Sequence, residues 1–431
     1  MSSSITMSRP SVETLRAMLA AELFVPGDPG YDRARRAWDL PVDRRPAVLV
    51  FAASAVDVAR AVRFARSQGM RIAPQGTGRG PAGARWEDVA APAGDYGLAA
   101  LAGTPPYLGV TGYTLGGGIG WLPRRYGLAA NSVTAVEIVT PDGRLARADA
   151  DHEPELLWAV RAGGGSVGVV SALEMALYPV SKVHAGARFL PIERSSDVLH
   201  GWPNWTDTVP DELTSRARLP RLPAVPEVPA VLRGRALAVV EATYVGDSRH
   251  GAWPDRSDAR AQSRVRHIPD SPGPGVRAAE YAHGNYDAGD RGRRVPRRPP
   301  GRRGRHDPSA GRTRRRHIDS EHRDPASRGR ARARSHRRRY QPKIEAKYAI
   351  LASGIAPNPE LYDAVRMHVR PLRDALAPWH AGYDYCNFVD APAEAELVLL
   401  AASHEQLQKV TAGYDPDQTM ISAHAIRPAG N

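Results

Sequence analysis

Two glycine runs and a short tyrosine-asparagine element hold the residues of this chain whose types and spacing could do chemistry. The runs are Gly112-Tyr113-Thr114-Leu115-Gly116-Gly117-Gly118-Ile119-Gly120-Trp121 and Arg161-Ala162-Gly163-Gly164-Gly165-Ser166-Val167-Gly168-Val169-Val170. Glycine loses more backbone entropy on folding than any other residue. Seven of them between Gly109 and Gly127 therefore imply that something approaches the main chain closely, and a large flat group is the expected visitor. A third loop, Pro74-Gln75-Gly76-Thr77-Gly78-Arg79-Gly80, offers free amides that could hold a pyrophosphate. Its Gly-x-Gly-x-Gly spacing departs from the dinucleotide fingerprint, and a plain surface turn is the alternative. Near the far end, Tyr385-Cys386-Asn387-Phe388 sets a phenol and an amide two residues apart. On a strand these two share a face and Cys386 points away, as a packed side chain rather than a reactive thiol.

The elements that must position these groups are legible in outline. Ala47 to Ala52 is a short apolar run, and Ser54 with Asp57 reads as a cap opening a helix. Val58, Ala61, Val62 and Ala65 follow at helical spacing, Gly69 ends it, and Arg71 to Pro74 returns as a strand, a βαβ-like opening. Ser132 to Thr140 alternates toward strand, Pro141-Asp142-Gly143 turns, and Arg144 to Ala148 pairs back. Pro154 starts a helix, and Val169 to Leu177 is a strand after the second glycine run. Val183 to Pro191 reads as strand, then an amphipathic helix carries Trp202 and Trp205, taken as packing residues with substrate stacking as the alternative.

Composition divides the chain. The formal charge is +13 overall, from 59 basic and 46 acidic residues. Between Ser248 and Tyr340 stand 26 Arg, no Lys and 10 acidic residues, which leaves 33 basic and 36 acidic elsewhere, an ordinary balance for an enzyme. That window has no Leu, Phe or Met, so it cannot bury enough apolar surface to offset ordering entropy, and disorder is expected. Arg, Pro, Gly and Ala without Lys are also what a GC-rich gene encodes out of frame, so a frameshifted segment is the expectation. An unselected insertion and a nucleic-acid arm are the alternatives, nucleic acid being the less expected partner. One cysteine permits no internal disulfide. Met1 to Phe24 has no apolar signal region and no stretch reaches membrane-span length, so a cytoplasmic protein without a membrane partner is expected.

Together these residues resemble the flavin-binding domain of the vanillyl-alcohol-oxidase or PCMH superfamily, in its berberine-bridge-enzyme-like branch. The resemblance runs from Tyr31-Asp32 through the Pro74 loop, Gly109 to Trp121, Arg124 to Asn131 and Trp158 to Val170, to about Gly246, and resumes at Ile344-Glu345-Ala346-Lys347-Tyr348. Tyr385 to Phe388, Tyr414-Asp415-Pro416-Asp417 and His424 resemble the family's closing segment. The implied fold is α+β: a two-part PCMH-type FAD-binding domain over 31–182 and an antiparallel-sheet substrate domain covered by helices over 183–247 and 341–380. The flanks are an N-terminal helical segment over 1–30, the Arg-rich segment over 248–340 and the closing segment over 381–431.

The resemblance implies FAD as cofactor. Gln75, Gly76, Thr77, Gly78, Arg79, Gly80, Gly109, Val110, Gly112, Gly116, Gly117, Gly118, Gly120, Gly168, Val170 and Asn387 would hold it. Tyr385 would be the catalytic base in oxidation of an alcohol or sugar-like hydroxyl on a small-molecule substrate, with dioxygen as acceptor. A tyrosine of ordinary pKa near 10 needs a neighbour that stabilises phenolate, and the sequence names none. No metal is implied. Three departures stand out. Arg79 occupies the place of the family's flavin-tethering His and cannot be that nucleophile. No Cys precedes the long glycine run, so the flavin is expected to be non-covalent. The strand pair that should follow Gly80 is missing, which would open a sheet edge. A degenerate, inactive relative and an Arg-rich nucleic-acid binder are the competing readings.

Overall fold

Local capping and apolar spacing decide the first elements. The computed structural model describes residues 9–36, 43–76, 83–226, 228–246, 346–356, 358–389, 393–394, 401–422 and 424–426. All fall in the same one of the chain's two compact units. The Arg-rich window and Thr77, Gly78, Arg79 and Gly80 lie outside the described residues. α1 (Arg9–Met18) packs Val12 and Leu15 on Leu23 of β1 (Glu22–Phe24). α2 (Tyr31–Ala34) is a single turn, and β2 (Leu49–Phe51) runs antiparallel to β1 with Val50 opposite Leu23. The expected cap then opens α3 (Ala55–Ser67): the Asp57 amide donates to Ser54 Oγ at 3.1 Å. Gly69, at φ 62°, ends that helix.

The return strand differs from expectation. Among the described residues Ile72 makes one parallel bridge, to Met420 near the C-terminus, and does not pair with β2. Its amide donates to the Thr419 carbonyl and its carbonyl accepts from Ile421, both at 2.7 Å. A backbone segment without a strand beside it must find partners elsewhere, and the closing segment supplies them.

Downstream, α4 (Trp86–Asp95), α5 (Val110–Leu115) and α6 (Pro123–Tyr126) lead into an antiparallel sheet of order β4-β3-β5. β3 (Val133–Val139), β4 (Leu145–Asp149) and β5 (Val169–Met175) lie where alternation put them. Gly143, at φ 81°, makes the hairpin turn. α7 (Pro154–Gly163) lays Leu156, Leu157 and Val160 on this sheet. Central β3 is buried at Val133, Ala135, Val136, Ile138 and Val139, as a strand covered on both faces must be.

The second sheet, of order β6-β8-β7, is also antiparallel: β6 (His184–Pro191), then α8 (Ser195–Thr206), β7 (Leu213–Arg218) and β8 (Leu237–Tyr244). α8 covers one face. Trp202 Nε1 donates to Ser215 Oγ at 3.0 Å and its ring lies 5.2 Å from that of Tyr348, which is packing. α9 (Pro359–Leu376), β9 (Ala393–Glu394), α10 (Ala401–Tyr414) and β10 (His424–Ala425) complete the described chain. α10 returns to the first sheet, where Leu407 and Val410 join the core under α7. Among the described residues no helix is long and apolar enough to cross a membrane.

Asp57 ties the N-terminal layer together by accepting from the amides of Ala20 at 3.1 Å and Ala53 at 3.2 Å. Burial alone would raise its pKa. The amide of Ala20, the Ser54 hydroxyl and the Ala53 amide, with Arg60 nearby, outweigh burial and hold it below the ordinary 3.8. A depressed carboxylate contributes stability above its unfolded pKa and loses it as pH falls through the folded one. Thermal denaturation should therefore fall off more steeply below about pH 4 in the wild type than in Asp57→Asn. Ser54→Ala should cost about 1 kcal/mol in urea unfolding at neutral pH.

Candidate functional site

The long glycine run folds as one helical turn followed by a loop that doubles back. Gly109 is extended at the start of α5, and the Val110 amide donates to Ala84 at 3.0 Å. After Leu115 the chain passes through Gly117 at φ 117° and Gly118 at φ 78°, a path L side chains rarely follow. Their carbonyls accept from Ala130 at 2.9 Å and Ala129 at 3.0 Å, which pins the loop to the start of β3.

What approaches these glycines is mainly the chain itself. A Cβ on Gly116 would collide with Asn387 Oδ1, and one on Gly117 would lie 2.8 Å from the Tyr385 hydroxyl. At Gly118 it would meet Ala129 Cβ and the Tyr113 ring, and at Gly120 the Ala102 carbonyl and, at 2.9 Å, the Tyr113 hydroxyl. Gly112 and Gly76 are different: nothing lies within 4 Å of where their Cβ atoms would be. Gln75 and Gly76 are exposed, and Pro74 behind them packs on Gly165 of the second glycine run, 2.9 Å from its missing Cβ. Gly168, at φ 142°, admits the Val139 carbonyl, and Val170 on β5 sits half-buried against the first core.

Tyr385 and Asn387 are not on a strand. Residues Cys386–Phe388 form a 3-10 turn, closed by the Phe388 amide donating to the Tyr385 carbonyl at 2.8 Å. The turn still aims both side chains at the glycine run, because Asn387 Nδ2 donates to the Tyr113 carbonyl at 2.9 Å and anchors it. Cys386 points into the first core, where burial pushes its thiol up to about 11. Behind it His424 is buried, its pKa lowered by burial and partly restored by a backbone hydrogen bond at Cys386.

Burial holds the Tyr385 phenol well above its usual range, and the neighbouring Cys386 adds to this. The amides of Ile119 and Gly118 and the Asn387 side chain pull the other way without reversing it. None makes a hydrogen bond of ordinary geometry to the hydroxyl, which is buried without a partner among the described residues. Tyr113, Thr114 and Ser166 carry buried hydroxyls in the same condition. An unsatisfied buried hydroxyl costs about 1–3 kcal/mol, so hydroxyls orphaned in and beside the two glycine runs fit a bound group with polar edges. The open flank of Gly112 leaves room for such a group. Sequence reasoning missed Tyr113 and Thr114 as site residues, although polar side chains inside an otherwise apolar run were a visible signal.

The family described as FAD binding domain matches residues 80–149, which include the whole long glycine run. The chain is 31% identical over 196 residues to an (R)-6-hydroxynicotine oxidase of Paenarthrobacter nicotinovorans, covering 38% of this chain and 43% of that protein. It is 35% identical over 153 residues to the berberine bridge enzyme-like Cyn d 4 of Cynodon dactylon, covering 32% and 28% respectively. The chain thus carries a match to an FAD-binding domain over 80–149 and is similar to FAD-linked, berberine-bridge-like oxidoreductases. Its cofactor is FAD. The curated matches span about half or less of those relatives' length. A solved chitooligosaccharide oxidase superposes with a TM-score of 0.67 at 16% identity, covering 97% of this chain and 100% of that one, a likeness of fold.

The closing segment sits against the glycine run at Gly116 and Gly117, where no side chain would fit, and Gly120 is as tightly enclosed by Ala102 and Tyr113. Gly120→Ala should cost about 1–3 kcal/mol in denaturant unfolding, because the Ala102 carbonyl cannot yield as a flexible side chain would.

Proposed function

We propose that this chain oxidises a hydroxyl of an alcohol or sugar-like small molecule, with dioxygen as the electron acceptor. The observation that supports this reading best is the seating of Tyr385 and Asn387 on the glycine run, Asn387 reaching a carbonyl 274 residues earlier in sequence. That the relatives include a carbohydrate oxidase, from Microdochium nivale, favours a sugar-like substrate.

FAD, when bound, supplies the acceptor for a hydride from the carbon that bears the hydroxyl. The loop from Gln75 to Gly80 would hold its pyrophosphate, and the run from Gly109 to Gly120, Gly168, Val170 and Asn387 its flat part. Arg79 stands in place of a tethering His, so binding is non-covalent. Tyr385 takes the hydroxyl proton. Since burial keeps the phenol protonated at neutral pH, the reactive fraction is the phenolate that the Gly118 and Ile119 amides and Asn387 favour, and this fraction grows as pH rises.

A second reading, a relative that folds without chemistry, draws on the same contacts, because Asn387 and Tyr385 occupy the wall at Gly116 and Gly117. Purified protein separates the two. Yellow protein that releases its flavin on heating or acid, and consumes dioxygen with a sugar or alcohol, supports oxidation. Colourless protein that takes up no added FAD supports the second reading. In the active protein kcat/KM should rise on the alkaline side, and Tyr385→Phe should lower it about 100-fold or more with flavin content unchanged.

A further inference from the structure

A short excursion of chain joins the glycine run to the second sheet. The carbonyls of Gly117 and Gly118 accept from the amides of Ala130 at 2.9 Å and Ala129 at 3.0 Å, and these two bonds close the base of a compact loop from Ile119 to Leu128. The base lies at the wall where Tyr385 is seated, its hydroxyl 2.8 Å from the missing Cβ of Gly117. Leu122, between base and tip, is buried in the core that holds Trp86 and Tyr113, and close packing there stiffens the loop.

The tip of the loop is α6, and it grips the start of β7. Arg124 donates to the carbonyls of Leu213 at 3.1 Å and Val209 at 3.3 Å, and pairs with Asp211 at 3.3 Å. Arg125 binds the Glu212 carboxylate, and the Glu212 carbonyl accepts from the Val245 amide at 3.0 Å, just past the end of β8. Exposed ion pairs alone hold weakly, but a charged donor to a carbonyl is stronger than a neutral one. A second route starts at Trp121. The Arg216 guanidinium of β7 lies 4.0 Å from the centroid of its ring and donates through Nε to Glu241 of β8 at 2.6 Å. Among the described residues, α6 against β7 is the broadest contact between the elements before β6 and those of the second sheet.

We propose that the loop from Ile119 to Leu128 couples the cofactor wall to the second sheet, so that FAD on the glycine run orders β7 and β8 and the protein binds cofactor first, substrate second. This rests on the reading above, in which FAD lies along Gly109 to Gly120 and the substrate meets Tyr385. A group held against the run restricts Gly117 and Gly118. Their two carbonyl bonds pass that restriction to the loop, and Arg124, Arg125 and Trp121 pass it to the sheet. A ligand that binds an already ordered surface loses less conformational entropy, so ordering by the first ligand favours the second.

Hydrogen–deuterium exchange of the full chain, with and without added FAD, tests this. FAD should slow exchange of the amides in β7 and β8 about ten-fold, within the range usual for coupled sites. In the double variant Arg124→Gln, Arg125→Gln that slowing should vanish while FAD still protects Gly109 to Gly120, and Lys at both positions should keep part of it. The two arginine side chains are 34% and 47% exposed, so the variants should fold, and slow exchange in β3 checks this. Glu212→Gln, made from the other side of the contact, should weaken the slowing in the same direction and serves if the double variant does not fold. Exchange in β7 and β8 that ignores FAD while the run is protected, or slowing that survives the double Gln variant, overturns the proposal alone. FAD that protects no part of the chain overturns it together with the oxidoreductase reading. Coupling in FAD-loaded protein that oxidises no alcohol or sugar supports the loop and removes that reading.

Discussion

At Gly116 and Gly117 the side chains of Asn387 and Tyr385 sit in space that any Cβ would fill. The rest of the described architecture depends on that insertion. It joins the end of the chain to a loop near residue 117, and a single hydrogen bond from Asn387 to the Tyr113 carbonyl holds its register. Close packing of this kind has no slack, because interiors are as dense as organic crystals and one methyl group is felt. The glycines are therefore needed for the protein's own packing. The same contact buries against the glycine run a phenol with no hydrogen-bond partner among the described residues.

Two further contacts brace the insertion from behind. α10 drives Leu407 and Val410 into the core under α7, and fully burying one such side chain stabilises by about 1.5–3 kcal/mol. Asp415, itself buried, accepts from the Thr419 amide at 2.8 Å and the Met420 amide at 2.7 Å, which fixes the segment that pairs with Ile72. The closing segment thus braces both the segment at Ile72 and the core under α7. Its ion pairs contribute less, since Arg66 with Asp417 and Lys409 with Glu405 are exposed and such pairs are worth roughly 0–1 kcal/mol.

Charge is distributed unevenly over the site. Near the glycine run the polar groups are neutral hydroxyls, amides and a buried thiol, and burial opposes charging them. On the second sheet charge is retained by pairing: Arg216 donates to Glu241 and lies 4.0 Å from the Trp121 ring centroid, and Arg218 pairs with the same carboxylate at 3.8 Å.

The amino-acid sequence by itself determined the elements whose causes are local. Ser54 and Asp57 made their cap, Pro141-Asp142-Gly143 made its turn, Pro154 opened α7, and β3, β5 and β6 lie where the apolar pattern put them. Each depends on residues within a few positions, so the pattern carries the information. It also carried the resemblance to FAD-binding domains that the match over 80–149 bears out, because the glycine spacings are a constraint on backbone that few folds share. Only the tertiary structure decided that Tyr385 and Asn387 act from a 3-10 turn instead of a strand, that Ile72 pairs with Met420, and that Trp121 meets Arg216. These contacts join residues far apart in the chain. No local propensity encodes them, and they exist because backbone groups and buried side chains must find partners wherever the packed chain supplies them.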